Sequence, residues 1–272
     1  MTDQSTRLPP LLLVGGGHMG SAMLSSWREY GMAPSVLIDP SPITDVLAGP
    51  DLLVIRDAGL IPAGFIPGAI IVAVKPQTAS DALVPLRRFA GSSVFISIMA
   101  GRTIAWLRAT LGDTAAVVRA MPNTPASIRA GISVACIGPH VSLSEKKLAQ
   151  LLLSTIGHVE FVVDETQLNP VTAISGGGPA YVFLLVELLE RAGIEQGLCS
   201  NLARTLARQT IIGAAKLLES TSEDAASLRR AVTSPAGTTE QALAILMADS
   251  GWPRTISDAI AAATLHSCEL GS

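Results

Sequence analysis

A short apolar run, Leu11–Val14, stops at Gly15, Gly16 and Gly17 and is followed by the stretch Ser21–Tyr30, which Gly31 ends. That order predicts a buried strand, a turn without side chains, and a helix. Gly15, Gly17 and Gly20 satisfy G-x-G-x-x-G in the strand–turn–helix context that gives the spacing its meaning. The first glycine permits the tight turn, the second lets a ligand approach the backbone, and the third allows close packing of helix on strand. The helix N-terminus then turns free N–H groups and a positive dipole end toward the ligand. The implied ligand is the pyrophosphate of a dinucleotide.

A second apolar run, Val36–Ile38, ends at Asp39. A carboxylate there can accept from an adenosine ribose 2′-hydroxyl and repel a 2′-phosphate. No Arg or Lys stands between Arg28 and Arg56, so the sequence leans to NADH over NADPH. The alternative is that Asp39 caps the Pro40-Ser41-Pro42 turn.

Further strands are expected at Leu52–Ile55, Ala69–Val74, Val94–Ile98, Ala116–Arg119 and Ser133–Ile137. Several are continuously apolar, as strands buried on both faces are, so the first part reads as a doubly wound α/β sheet of parallel strands. From Asn169 onward nothing reads as a strand. Helices are expected from Pro179 to Arg191, Asn201 to Glu219, Glu223 to Val232, Thr239 to Ala248 and Pro253 to Glu269. The division falls at about Asp164: residues 1–164 form a Rossmann-like dinucleotide-binding domain, and residues 165–272 an all-helical one.

Composition narrows the class. The chain is 49% hydrophobic and only 15% charged, so disorder is excluded for its bulk. No window offers the run of about 18 uninterrupted apolar residues expected of a membrane span. The N-terminal tail to about Arg7 lacks the pattern of a signal peptide. Net charge is −3 with no basic stripe, which disfavours nucleic acid. Cys136, Cys199 and Cys268 are scattered and form no metal or disulfide spacing, so a reducing, cytoplasmic compartment is expected. The four histidines make no metal site, and no hydrolase signature appears. Hydride chemistry would therefore rest on the bound cofactor.

Four more motifs and one small-residue strand end remain. Ala73-Val74-Lys75-Pro76-Gln77 ends a central strand, where ligands of open α/β sheets bind. Lys75 faces the ligand or is simply solvated. Ala100-Gly101 ends the next strand and leaves room for a flat ring, though a plain turn needs small residues too. Asn123 and Thr124 lie between two prolines in a rigid polar loop. Ser175–Tyr181 (SGGGPAY) and Ser234–Gln241 (SPAGTTEQ) are small-residue segments leading into helices, with Thr238-x-x-Gln241 reading as a capping box. The exposed amides of the second loop suit a carboxylate, or serve only as ordinary caps.

In this order and at these intervals, AVKPQ, MPNTPA, SGGGPAYVF with QTIIGAAKLL, and TSPAGTT resemble pyrroline-5-carboxylate reductase over about Leu11 to Leu270. The resemblance implies reduction of L-1-pyrroline-5-carboxylate to L-proline with NADPH or NADH, the last step of proline biosynthesis. It also implies a helical domain that interlocks with a second subunit, so that each active site joins one cofactor domain to the partner's helices. By position, Gly15, Gly17, His18, Met19 and Gly20 would cradle the pyrophosphate. Ala73, Val74, Lys75, Ala100 and Gly101 would border the nicotinamide, with Asn123 nearby. Ser234, Ala236, Gly237 and Thr238 would hold the substrate carboxylate, and Thr239 would contact the ring nitrogen. Three positions depart from the family pattern: His18 replaces Asn, Gly177 replaces Ser and Ala236 replaces Gly. The last would be strained if the backbone there has positive φ.

Two other readings are a reductase of another cyclic imine or a β-hydroxy acid, and a catalytically idle dinucleotide-binding protein. β-Hydroxy acid dehydrogenases usually carry a lysine on the long helix after the domain junction, and Pro179–Arg191 has none. That same helix is apolar on every side except at Glu187. A helix buried all round needs neighbours on all sides, so a homodimer or a multiple of dimers is expected.

Overall fold

The computed structural model describes residues 8–271, so the N-terminal tail lies outside the described residues. The chain divides into two compact units, residues 1–176 with 263–272, and residues 177–262.

The first unit is built on β1 (Leu11–Val14), α1 (His18–Tyr30), β2 (Ser35–Ile38), β3 (Leu52–Ile55), β4 (Ala69–Val72), α2 (Ala79–Leu83), β5 (Val94–Ser97), α3 (Ile104–Leu111), β6 (Val117–Pro122), β7 (Gly131–Ile137), α4 (Leu143–Ser154) and β8 (Gly157–Val162). They form one eight-stranded sheet of order β3-β2-β1-β4-β5-β6-β7-β8. Its first six positions follow the strand order of a dinucleotide-binding fold. β1, β2, β4, β5 and β6 are buried along their whole length. Side chains alternate between two apolar layers. Leu12, Val14, Ile70, Val72 and Phe95 fill one, and Leu11, Leu13, Ile71, Val94 and Ile96 fill the other against Met23, Leu24 and Trp27 of α1. Trp27 is fully buried and its indole N–H donates to Leu152 O of α4 at 3.0 Å, so its one polar atom is satisfied.

Two features differ from the expected all-parallel sheet. β7 runs antiparallel to β6. The link between them is the short 3₁₀ turn Thr124–Ile128, too brief for a crossover helix, so the chain must reverse. β8 is an eighth strand, parallel to β7, that the sequence reading passes over. Its sequence GHVEFV alternates polar and apolar residues, and His158 and Glu160 meet on its exposed face at 2.7 Å. Helix α4 is a further element beyond those expected, and Ser142 and Glu145 form a complete capping box at its start.

After β8 come α5 (Leu168–Val171) and a π-helical turn, Thr172–Gly176. The second unit contains α6 (Gly178–Glu195), α7 (Ser200–Glu219), α8 (Ala225–Ala231), α9 (Thr238–Leu246) and the start of α10 (Trp252–Gly271). α10 returns the chain to the first unit from residue 263 onward. There Ser267 Oγ donates to Asn169 Oδ1 at 3.0 Å. The contact division thus lies beyond the boundary expected near Asp164, because residues 165–176 and the chain's end pack on the sheet.

α6 and α7 form a hairpin closed by small residues. A Cβ on Gly193 would lie 3.2 Å from Ala203 Cβ, and Arg204 pairs with Glu190 at 3.1 Å. Ala203 and Ala207 are the buried residues of α7, and α6 has none. Tyr181, Val182, Phe183, Leu184, Leu188 and Leu189 are all exposed. The helical run Glu165–Glu195 is long and apolar enough to cross a membrane by length and composition, although polar residues interrupt its apolar stretch. A helix buried between subunits has the same composition.

Candidate active site

The glycine loop is shaped by contacts that exclude side chains. Gly15 has φ +100°, and a Cβ there would lie 2.6 Å from Ala73 O. A Cβ on Gly20 would lie 2.2 Å from Gly15 O, so helix α1 presses directly on the turn. At Gly17 a Cβ would meet nothing within 4 Å, which is the open approach that a pyrophosphate needs. Gly17 is the N-cap of α1 with no side-chain cap, and the first turn holds no acidic residue. The loop therefore fits a dinucleotide. His18 opens the helix and is exposed, while Met19 is half-buried.

Gly16, to which the motif gives no role, is equally constrained. A Cβ there would lie 2.8 Å from the Thr44 methyl, and its N–H donates to Asp39 Oδ2 at 2.6 Å. The other carboxylate oxygen, Asp39 Oδ1, accepts from Ser41 N at 2.8 Å. Asp39 thus caps the turn, the alternative left open by the sequence, and also holds the glycine loop.

The expectation that no cation stands near the end of β2 is corrected by the fold. Arg56, just beyond β3, donates through Nη1 to Asp39 O at 3.1 Å and Ser41 O at 2.7 Å. β2 and β3 are parallel neighbours, so a residue distant in sequence arrives at the same edge.

At the sheet's C-terminal edge a cavity of about 300 Å³ is lined by Met19, Ala73, Val74, Lys75, Pro76, Ile98, Met99, Ala100 and Pro122. Four of the sequence motifs meet here, from the ends of β1, β4, β5 and β6. Lys75 is exposed and lines this cavity. Arg102 donates to Pro76 O at 3.1 Å and stacks over Trp106, tying the ends of β4 and β5 together. Gly101 does not line the cavity. It has φ +73°, and a Cβ there would lie 2.4 Å from Leu270 O, so it makes room for the end of α10. Asn123 is engaged on both sides of its amide, accepting from Ile132 N at 2.9 Å and donating to Ser175 O at 3.1 Å.

Two loop readings are also corrected. Gly177 has a right-handed helical backbone, and Pro179 is the second residue of α6. The Ser175–Tyr181 segment therefore carries a helical run onward instead of presenting a fresh N-terminus. In the second unit, Gly237 is the N-cap of α9 and makes no side-chain cap, so Thr238 is not the capping residue. Glu240 replaces the expected box by accepting from Ala236 N at 2.8 Å. Ala236 has φ 57°, the left-handed region in which Cβ is strained. Gly237 N donates to Ser234 O at 3.0 Å and closes the turn.

Among the described residues, no group of three His, Cys, Asp or Glu could hold a metal ion. Arg119, buried in β6, pairs with Glu165 at 2.8 Å, and the same carboxylate oxygen accepts from Ile104 N at 2.8 Å. Burial, followed by the nearby Glu165 charge, raises the Cys136 thiol pKa.

Comparison with known proteins decides the family. The model of the pyrroline-5-carboxylate reductase dimerisation domain matches residues 165–270. The chain is 35% identical to pyrroline-5-carboxylate reductase of Pseudomonas aeruginosa, over 96% of its own length and 97% of that protein. The chain belongs to the pyrroline-5-carboxylate reductase family. It is 40% identical to pyrroline-5-carboxylate reductase 1 of Bacillus subtilis over 74% of the chain and 67% of that protein. The Coxiella burnetii pyrroline-5-carboxylate reductase structure superposes with a TM-score of 0.88 at 29% identity, covering 97% of this chain and 99% of that one. The Plasmodium falciparum pyrroline carboxylate reductase, solved with NADP bound, gives 0.84 at 28% identity, covering 98% of this chain and 100% of that one. The family's dimerisation model begins at Glu165 and runs to Leu270.

Proposed function

We propose that the chain reduces L-1-pyrroline-5-carboxylate to L-proline, with a nicotinamide dinucleotide held on the Gly15–Gly20 loop. The observation that carries this reading is the convergence of Met19, Ala73–Lys75 and Ala100 on one cavity, in a chain of this family. When bound, the reduced nicotinamide supplies the hydride. Met19, Ala73, Val74, Lys75 and Ala100 orient the ring and keep water from one face. Backbone amides of Ser234–Thr238 receive the substrate carboxylate, and the Thr239 hydroxyl meets the ring nitrogen. Protonation of that nitrogen makes the imine carbon electrophilic, so the chain needs no strong general acid, and orientation carries much of the rate.

The same reading assigns residues 1–164 to cofactor binding and residues 165–272 to dimerisation and substrate binding. The exposed apolar residues of α6 support self-association, because a monomer rarely leaves so large a patch in water. Two subunits interlock their helices, and one subunit's cofactor loop works with its partner's Ser234–Thr239 segment. Free cysteines fit a reducing, cytoplasmic compartment.

The decisive assay supplies the purified protein with the imino acid and either NADH or NADPH. Oxidation of the cofactor is expected, and no turnover with either would sink the proposal. Thr239→Ala should lower kcat/KM about tenfold or more, since positioned hydrogen-bond donors are worth that much. Light scattering should report at least a dimer. Phe183→Glu, at a side chain 67% exposed in the single chain, should shift it toward monomer.

A further inference from the structure

We propose that Arg56 receives the 2′-phosphate of NADPH, exchanging Asp45 for it, and so makes NADPH a cofactor of a chain whose Asp39 by itself points to NADH. The inference rests on the proposal that the Gly15–Gly20 loop holds the dinucleotide. Asp39 is buried to 9% exposure, and each of its oxygens already accepts a backbone N–H, from Gly16 at 2.6 Å and Ser41 at 2.8 Å. The carboxylate is turned toward the loop it holds. The group standing at the solvent side of this turn is the guanidinium of Arg56.

Two carbonyls fix that guanidinium in place, Asp39 O at 3.1 Å and Ser41 O at 2.7 Å. They belong to the turn after β2, where the adenosine ribose lies in a dinucleotide fold. Nη2 faces Asp45 Oδ1. That ion pair is exposed, with the Arg56 side chain at 39% and Asp45 at 59%, and exposed pairs are weakly held. A phosphate offers more charge than a carboxylate and matches the guanidinium fork. Asp45 is therefore a replaceable placeholder. Arg56 keeps its two carbonyl anchors throughout, so the phosphate meets a cation that is already positioned. Asp45 and the neighbouring Asp57 offset part of this attraction, which leaves NADH usable as well.

The test is calorimetric titration of the full chain with NAD⁺, NADP⁺ and 2′,5′-ADP, in the wild type, Arg56→Gln, Arg56→Lys and Asp45→Asn. The wild type should bind 2′,5′-ADP. Arg56→Gln should lower the NADP⁺ to NAD⁺ affinity ratio at least tenfold and weaken 2′,5′-ADP by a similar factor. Arg56→Lys should fall between, and Asp45→Asn should raise the ratio several-fold. A ratio unchanged by both Arg56→Gln and Asp45→Asn would overturn the assignment. Failure of the wild type to bind NAD⁺ would instead overturn the loop reading beneath it.

Discussion

Asp39 offers a sharp test, because two roles for one carboxylate predict opposite outcomes. If Asp39 selects against a 2′-phosphate, replacing it should tighten NADP⁺. If it holds the glycine loop, replacing it should weaken both dinucleotides together. The geometry favours the second role. Asp39→Ala removes two charge-assisted acceptors and leaves the buried Gly16 N–H without a partner. An orphaned buried N–H costs about 1–3 kcal/mol, and a hydrogen bond to a charged group contributes about 1.5–3 kcal/mol. The turn at Ser41 is partly exposed and can recover a water, so its loss counts for less. A total of about 2–4 kcal/mol of folding stability should disappear, read as a lower urea midpoint at unchanged slope. A loop that relaxes by half that amount weakens binding about five- to thirtyfold, since about 1.4 kcal/mol is a factor of ten. Calorimetry should then show NAD⁺ and NADP⁺ weakened by the same factor. Asp39→Asn keeps one acceptor for Gly16 and should lie between. Tighter NADP⁺ binding with weaker NAD⁺ binding would refute the loop-holding argument.

Gly20→Ala places a Cβ 2.2 Å from Gly15 O, a backbone atom that cannot yield without opening the turn. Dinucleotide affinity should fall more than tenfold by calorimetry. Ala236→Gly should relieve a strain of about 1–2 kcal/mol, partly offset by about 0.4–1 kcal/mol of unfolded-chain entropy, and so raise Tm slightly. Ala236→Val should lower Tm, because a β-branched residue is a genuine outlier at φ 57°; a Tm equal to wild type in both would discount the strain. The Cys136 thiol, its pKa raised first by burial, should stay protonated and unlabelled by thiol reagents at pH 8 in the native chain. It should react once denaturant exposes it, and fast labelling of folded protein would contradict its placement in the core.

How much of this was legible beforehand differs by element. The strands β1, β2, β4 and β5 are legible because both their faces are covered, and a continuous aliphatic run has few other uses. β8 escaped because an edge strand with one wet face carries His158 and Glu160 among its apolar residues, and that alternation is short. Glycines and a proline are the sequence signal for a helix start after Ser175. At Ser175–Tyr181 this misled, since glycines in a right-handed helical conformation carry a helix onward as readily as they open one.

The shape of the glycine loop is set by the sequence alone, because only glycine satisfies the close approaches at Gly15 and Gly20 and spacing alone reveals them. The sequence also determined the family, through motifs whose order does not depend on packing. Tertiary structure alone decided what each polar group near those motifs does. Asp39 faces the glycine loop, Gly101 faces Leu270, and Arg56 stands against the carbonyls of the turn after β2. The reason is physical: a backbone constraint is local and leaves its mark in residue type, whereas a hydrogen-bond partner is chosen by neighbours that only the sheet's strand order brings together.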